Sequence, residues 1–260
     1  MTQVALLGYG TIGRIVAEEL AAGAVPGAHL ACVVTRSEPV SCPVPRRSME
    51  EALERVDVVV ECAGQDAVRE HGAQILGAGR DLVVTSMGAL ADVDVRASVL
   101  TAEGGRLLCT TGAVGGLDLL TAARGAGPFT HVSVCTTKTS SALGRPWMDE
   151  NTLDALRRAE RSIDVFAGTP AEASRLFPES LNVAAAVALA VQDWDLVQVT
   201  LRADPHAALT THRIEAEGPT GQFEFSIRNR PSAQNPRTSA VVPYAVLRTL
   251  SRLVGSGGLF

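Results

Sequence analysis

The sequence predicts an α/β protein in which a doubly wound parallel sheet is followed by a second, α+β domain on a mainly antiparallel or mixed sheet. Three observations predict it. A glycine turn, Gly8-Tyr-Gly10-Thr-Ile-Gly13, stands between the apolar run Val4–Leu7 and a helical pattern of Ile12, Ile15, Val16 and Leu20. Short β-branched runs then alternate with helical stretches, as they do where strands are buried on both faces of a parallel sheet. Beyond Gly112 the period becomes two, in Thr130–Lys138, Leu196–Leu201 and Gln222–Ile227, which marks strands covered on one face.

Taken in order, Val4–Leu7 is the first strand and His29–Val34 the second. Arg46–Arg55 reads as a short polar connection and Val56–Val60 as the third strand. Ala67–Ala78 is helical, Asp81–Thr85 is the fourth strand, Val93–Glu103 is helical and Arg106–Thr110 is the fifth strand. This is a Rossmann-type order, whose ligand lies at the carboxyl ends of the strands. In the second half Pro170–Leu176 and Leu181–Val191 read as helices, and the second is nearly all small and apolar, hence buried. Residues 139–161 are polar and irregular and read as a mobile loop or lid. Pro243 opens a final helix whose Val246, Leu247, Leu250, Leu253 and Val254 form one stripe, expected to pack back on the first domain. The expected boundaries are 1–115 for a dinucleotide-binding domain, completed by 237–260, and 116–236 for a substrate and catalytic domain.

Composition narrows the function classes. A formal charge of −5 without a basic block argues against nucleic acid and anionic membranes as partners. The longest apolar run, Val183–Val191, is nine residues, short of the roughly 20 that a membrane span needs. No charged segment precedes an apolar one at the amino end, so a cytoplasmic protein is expected. Five cysteines, with no C-x-x-C, read as reduced thiols. Cysteines and histidines are scattered, so no metal site is expected.

The glycine turn carries the clearest chemistry. Gly8 allows a tight turn, Gly10 lets a pyrophosphate lie on bare backbone, and Gly13 permits close packing of helix and strand. Thr11 and Ile12 then open a helix whose unpaired N–H groups and dipole suit phosphates. The second strand ends Thr35-Arg36-Ser37, with Glu38 late for a ribose contact. Arg36 and Ser37 suit a 2′-phosphate, which favours NADP, or NADP and NAD alike. Hydride chemistry also needs a proton donor and acceptor, and histidine titrates in the right range. His29 and His71 read as structural, while the residues alone leave His131, His206 and His212 open. Lys138 is a candidate cation for a substrate carboxylate, or else a solvated strand end.

The segments Gly112–Asp118, Phe166-Ala-Gly-Thr, Phe177–Ala184, Ala203-Asp-Pro205 and Asn229–Ser239, with Gly8–Gly13 and Val60–Gly64, together resemble the L-aspartate dehydrogenase family over nearly the whole chain. The resemblance implies His212 as general acid/base, Ala113 and Asn182 as cofactor contacts, and Ala63 and Gly64 beside the cofactor. With Lys138, Asn182 and His212 would also bind the substrate. It implies interconversion of L-aspartate and iminoaspartate with NADP or NAD, in a homodimer built on the second sheet. It further implies a setting in amino-acid metabolism and NAD biosynthesis. Two positions depart from the family: Arg213 replaces the usual Glu after the histidine, and Thr210 the usual Asn before it. Alternatives are a reductase of the homoserine dehydrogenase or dihydrodipicolinate reductase type, which shares the first domain, and a catalytically silent nucleotide sensor.

Overall fold

Continuous apolar strands do build a parallel sheet in the first part of the chain. The structure is a computed structural model that describes residues 1–38, 41–177, 181–235 and 237–255. The chain divides into two compact units, Met1–Gly112 with Val242–Phe260, and Ala113–Val241.

The first unit runs β1 (Thr2–Leu7), α1 (Thr11–Ala21), β2 (Ala28–Val34), α2 (Met49–Leu53), β3 (Val58–Glu61), α3 (Gln65–Gly77), β4 (Asp81–Val84), a 3-10 turn (Met87–Ala91), α4 (Val93–Leu100) and β5 (Leu107–Cys109). Its strands lie in the order β2-β1-β3-β4-β5, and all pairs are parallel. Val4, Ala5, Leu6, Val59, Val60, Leu82, Val83 and Val84 are fully enclosed, as strands with helices on both faces must be. The strand order reverses between β1 and β3, the place where such sheets bind nucleotides.

The C-terminal helix, Val242–Leu253, joins this unit as its stripe predicts. Val246, Leu247 and Leu250 share one core with Val16, Ala17 and Leu20 of α1 and with Val4 and Leu6 of β1. The polar connection expected over 46–55 is a helix instead. Ser48 accepts from the Glu51 N–H while the Glu51 carboxylate accepts from the Ser48 N–H, and that capping box holds α2 despite its length.

The second unit runs α5 (Leu117–Arg124), β6 (His131–Lys138), α6 (Ser140–Leu143), α7 (Glu150–Arg158), β7 (Ile163–Gly168), α8 (Pro170–Leu176), α9 (Asn182–Val191), β8 (Val197–Ala203), β9 (Thr210–Gly218) and β10 (Gly221–Asn229). The order is β10-β9-β6-β8-β7. Only β6 and β8 pair in parallel, and the other pairs are antiparallel, so the expected mixed sheet is present. Helix α9 is buried almost throughout and packs on α5, β6 and β8. The β6 and β8 part of one sheet face is thereby covered.

Residues 139–161 are not the irregular loop expected, since α6 and α7 lie within them. Leu143, Met148 and Leu156 pack with Phe177, Leu201 and Ala203 in a separate small core. The Arg145 guanidinium lies 5.5 Å from the Phe177 ring centre, and Trp147 meets the same ring edge-on at 5.4 Å. Asp149 caps α7 by accepting from the Thr152 N–H. Apolar residues this widely spaced leave no periodic trace in the sequence, and only Phe177 from another segment gives them a common core.

Replacing Leu250, fully enclosed, by alanine is expected to destabilise the first unit by about 2–5 kcal/mol. Urea unfolding measures this, and a change below about 0.5 kcal/mol would deny the helix its place in that core.

Candidate active site

Two sets of residues are able to carry chemistry, one in each unit. In the first unit the chain leaves β1 at Gly8 with φ of +99°, and a Cβ there would come within 2.7 Å of Ala63 Cα. Glycine is needed both for the backbone angle and for the close approach of the β1 and β3 turns. A Cβ on Gly13 would strike the Gly8 carbonyl oxygen at 2.3 Å, whereas nothing lies within 4 Å of one on Gly10. Gly10 is also the N-cap of α1 and gives it no side-chain cap. The N–H groups of Thr11, Ile12 and Gly13 thus begin a helix beside bare, open backbone. A pyrophosphate fits such a cradle, because backbone donors and the helix dipole meet it without a side chain in the way.

Ala63 and Gly64 are held by a residue that the sequence reading did not single out. Glu61, at the end of β3, is completely buried. Its carboxylate accepts from the N–H groups of Ala63 and Gly64 at 2.8 Å each. It also accepts from the N–H groups of Thr85 and Ser86 at 3.1 and 2.8 Å and from the Ser86 hydroxyl at 2.9 Å. At least five donors therefore converge on one carboxylate, and they tie the loops after β3 and β4 together. The signal available in the sequence was an acidic residue closing a continuous apolar strand.

At the end of β2, Arg36 and Ser37 are exposed. Arg46 donates to the carbonyls of Thr35 at 2.8 Å and Arg36 at 3.2 Å, and its other side lies 3.9 Å from Glu38. Arg46 thus shapes the loop, and Glu38 turns towards Arg46.

In the second unit, alternation along β6 and β9 decides what shares a face. Val132, Val134, Thr136 and Lys138 are buried along β6, and Thr210, His212, Ile214 and Ala216 along β9. Thr136 stands directly opposite His212, and its hydroxyl lies 2.9 Å from His212 Nδ1. His212 sits inside β9, two residues past its start, not where strand meets loop. Burial first, and then the Lys138 ammonium, push the imidazole down from its ordinary 6.5 to about 3. The ring is neutral at any physiological pH. Lys138 is itself buried and donates to the Arg237 carbonyl at 3.3 Å, so it is not a solvated strand end.

The other histidines differ. His131 and His206 are exposed, and His206 lies 3.3 Å from the Glu160 carbonyl. Among the three left open by the sequence, only His212 is enclosed with polar partners. The Ala113 carbonyl accepts from the Asn229 side chain at 2.7 Å, which pins the turn leading into α5. Asn182 is the first residue of α9, a helix without a side-chain cap. Arg213 points to the opposite face, pairing with Glu215 at 2.9 Å and Glu224 at 3.2 Å, so this departure from the family pattern does not touch the imidazole. Thr210, the other departure, is buried on the His212 face. Among the described residues no cluster of potential metal ligands is found.

The family model described as "Aspartate dehydrogenase, C-terminal" matches residues 118–253, and that of the "Homoserine dehydrogenase, NAD binding domain" matches residues 8–104. The chain belongs to the aspartate dehydrogenase family. It is 35% identical to an L-aspartate dehydrogenase of Cupriavidus necator over 96% of this chain and 97% of that one. An L-aspartate dehydrogenase of Pseudomonas aeruginosa is 40% identical over 76% of this chain and 74% of its own length. The crystal structure of an aspartate dehydrogenase from Thermotoga maritima superimposes with a TM-score of 0.79 at 28% identity, over 100% of this chain and 99% of that one. The first half matches a cofactor-binding domain described for homoserine dehydrogenase, and the second half, where the two classes differ, matches aspartate dehydrogenase.

A lowered histidine fixes the sign of one pH effect. Between pH 6.5 and about 3 the unfolded chain binds a proton at His212 that the folded chain does not, so stability falls as pH drops through that window and is fully retained above it. His212→Gln is expected to remove this part of the acid limb. Urea unfolding at stepped pH tests it, and limbs that run parallel in the two proteins would sink the assignment.

Proposed function

We propose that this chain is an NAD(P)-dependent L-aspartate dehydrogenase, oxidising L-aspartate to iminoaspartate, which hydrolyses to oxaloacetate and ammonia, and catalysing the reverse reductive amination. The observation that carries the reading is a buried, uncharged imidazole, His212, facing Thr136 and close to a buried ammonium, Lys138.

Bound NAD(P) supplies hydride transfer at the substrate α-carbon. Gly8, Gly10, Thr11, Ile12 and Gly13 would hold its pyrophosphate with Ala63 and Gly64 beside them, and Ala113 and Asn182 would contact the cofactor from the second unit. Lys138 and Asn182 bind the substrate carboxylates, and Lys138 brings them a positive charge from a site with little water to screen it. His212 takes a proton from the attacking water and returns it to the departing ammonia, and the reverse direction uses the same two transfers. Burial and Lys138 keep the ring neutral without substrate, and a substrate carboxylate set against Lys138 offsets that ammonium and raises the proton affinity of the ring towards the range in which it can exchange a proton.

Arg36 and Ser37, exposed at the end of β2, suit a 2′-phosphate, which favours NADP, or NADP and NAD alike. The exposed face of the second sheet, crossed by Arg213, Glu215 and Glu224, is the surface on which a homodimer forms. The setting is cytoplasmic amino-acid metabolism and NAD biosynthesis, with neither nucleic acid nor membrane as a partner; among the described residues no helix is long and apolar enough to cross a membrane.

Initial rates with L-aspartate, and with oxaloacetate plus ammonia, using each cofactor in turn, test the activity. His212→Ala should lower kcat by about 10²–10⁴-fold while the Kd of the reduced cofactor stays as it was; wild-type turnover removes His212 from the role. Arg36→Ala should raise the KM for NADP by about tenfold or more and leave that for NAD nearly unchanged. An equal effect on both cofactors contradicts the 2′-phosphate assignment.

A further inference from the structure

The two strands beside β9 offer His212 different neighbours. On one side the residue in register is Thr136 of β6, and on the other it is Ile227 of β10. Side chains in register across a sheet share a face with their Cβ atoms about 5 Å apart, so the imidazole lies between a hydroxyl and an aliphatic chain. The next residues on this face, Val134 opposite Ile214 and Val132 opposite Ala216, are almost wholly enclosed and supply no polar group. The Thr136 hydroxyl is the polar contact in register with the ring, and it meets Nδ1.

We propose that Thr136 is the positioning residue for His212: its hydroxyl oxygen accepts a hydrogen bond from Nδ1–H and leaves Nε2 as the nitrogen that exchanges protons with the substrate. The inference rests on the acid/base reading of His212. A ring that cycles between base and acid through Nε2 carries a proton on Nδ1 in both forms, so its Nδ1 partner must accept throughout. A hydroxyl does this without adding charge. A carboxylate in the same place would raise the proton affinity of the ring, whereas Thr136 leaves the effect of burial and Lys138 uncorrected. Lys138 is the charged group that faces the ring from β6, and Ile227 of β10 brings none. Thr136 thus sets which nitrogen reacts, and Lys138 keeps the ring uncharged until substrate arrives.

The test combines nitrogen NMR of the full chain, carrying 15N-labelled histidine, with steady-state kinetics of Thr136→Val, Thr136→Ser and His212→Ala. Valine keeps the shape and removes the hydroxyl, and serine restores it. In the wild type the His212 ring should show a protonated Nδ1 and a bare Nε2 at neutral pH. T136V should shift those resonances towards the other tautomer and lower kcat by about tenfold or more, with little change in the KM for either substrate. T136S should return both the resonances and most of kcat. If T136V keeps wild-type kcat and unaltered ring resonances while H212A is inactive, Thr136 has no positioning role and the reading of His212 stands. A bare Nδ1 in the wild type overturns the proposal on its own. Wild-type turnover in H212A overturns the acid/base reading and this inference with it.

Discussion

Glu61 and His212 answer the same constraint in opposite ways. A polar side chain shut inside an apolar sheet must either collect hydrogen bonds or give up its charge. Glu61 collects bonds: donors from the turns after β3 and β4 surround its oxygens. His212 gives up charge, since burial and Lys138 disfavour its protonated form. Each is made useful by the solution it takes. The carboxylate becomes a rivet for two loops at the carboxyl end of the parallel sheet, and the imidazole becomes an uncharged polar group facing Thr136.

The rivet explains how the glycine turn can be so bare. Gly8 lies against Ala63 closely enough to exclude a Cβ, and Ala63 is fixed in turn by Glu61. The turn after β1 needs no side chain of its own to hold its shape, because the turn after β3 forms a rigid wall beside it. Gly10 can then leave the start of α1 uncapped and open. The second unit uses sheet alternation to similar effect. Thr136, Lys138, Thr210 and His212 share the covered face, while Arg213, Glu215 and Glu224 pair on the other. Strand geometry alone keeps an enclosed set, with Lys138 as its charged member, apart from an ion-paired, solvated one.

Several elements were legible because their signals are local. The run Val4–Leu7 before a glycine turn specifies strand and turn, and the stripe from Val246 to Leu253 specifies an amphipathic helix. Other elements were not. Helix α2 is too short to show a period, although Ser48 and Glu51 carried its capping signature. Strand β7 and helix α5 lie outside the elements that the sequence pattern marks, and residues 139–161 read as irregular because their apolar side chains gain a core only when Phe177 and Leu201 arrive from elsewhere.

The sequence by itself determined the class of each half, the cofactor turn and the family, since periodicity, glycine spacing and short motifs are properties of neighbouring residues. Among His131, His206 and His212 the family resemblance pointed to the last, but only the tertiary structure shows that it is the enclosed one, with a polar partner. That choice depends on burial and on a partner 76 residues away, set by the register of β6 against β9. It likewise decided that Glu61 is structural to the cofactor turns, because the groups that satisfy it come from the following loop and from one 24 and 25 residues further on. A chain can advertise which residues are able to do chemistry, but desolvation and pairing select among them, and both exist only once the strands are in register.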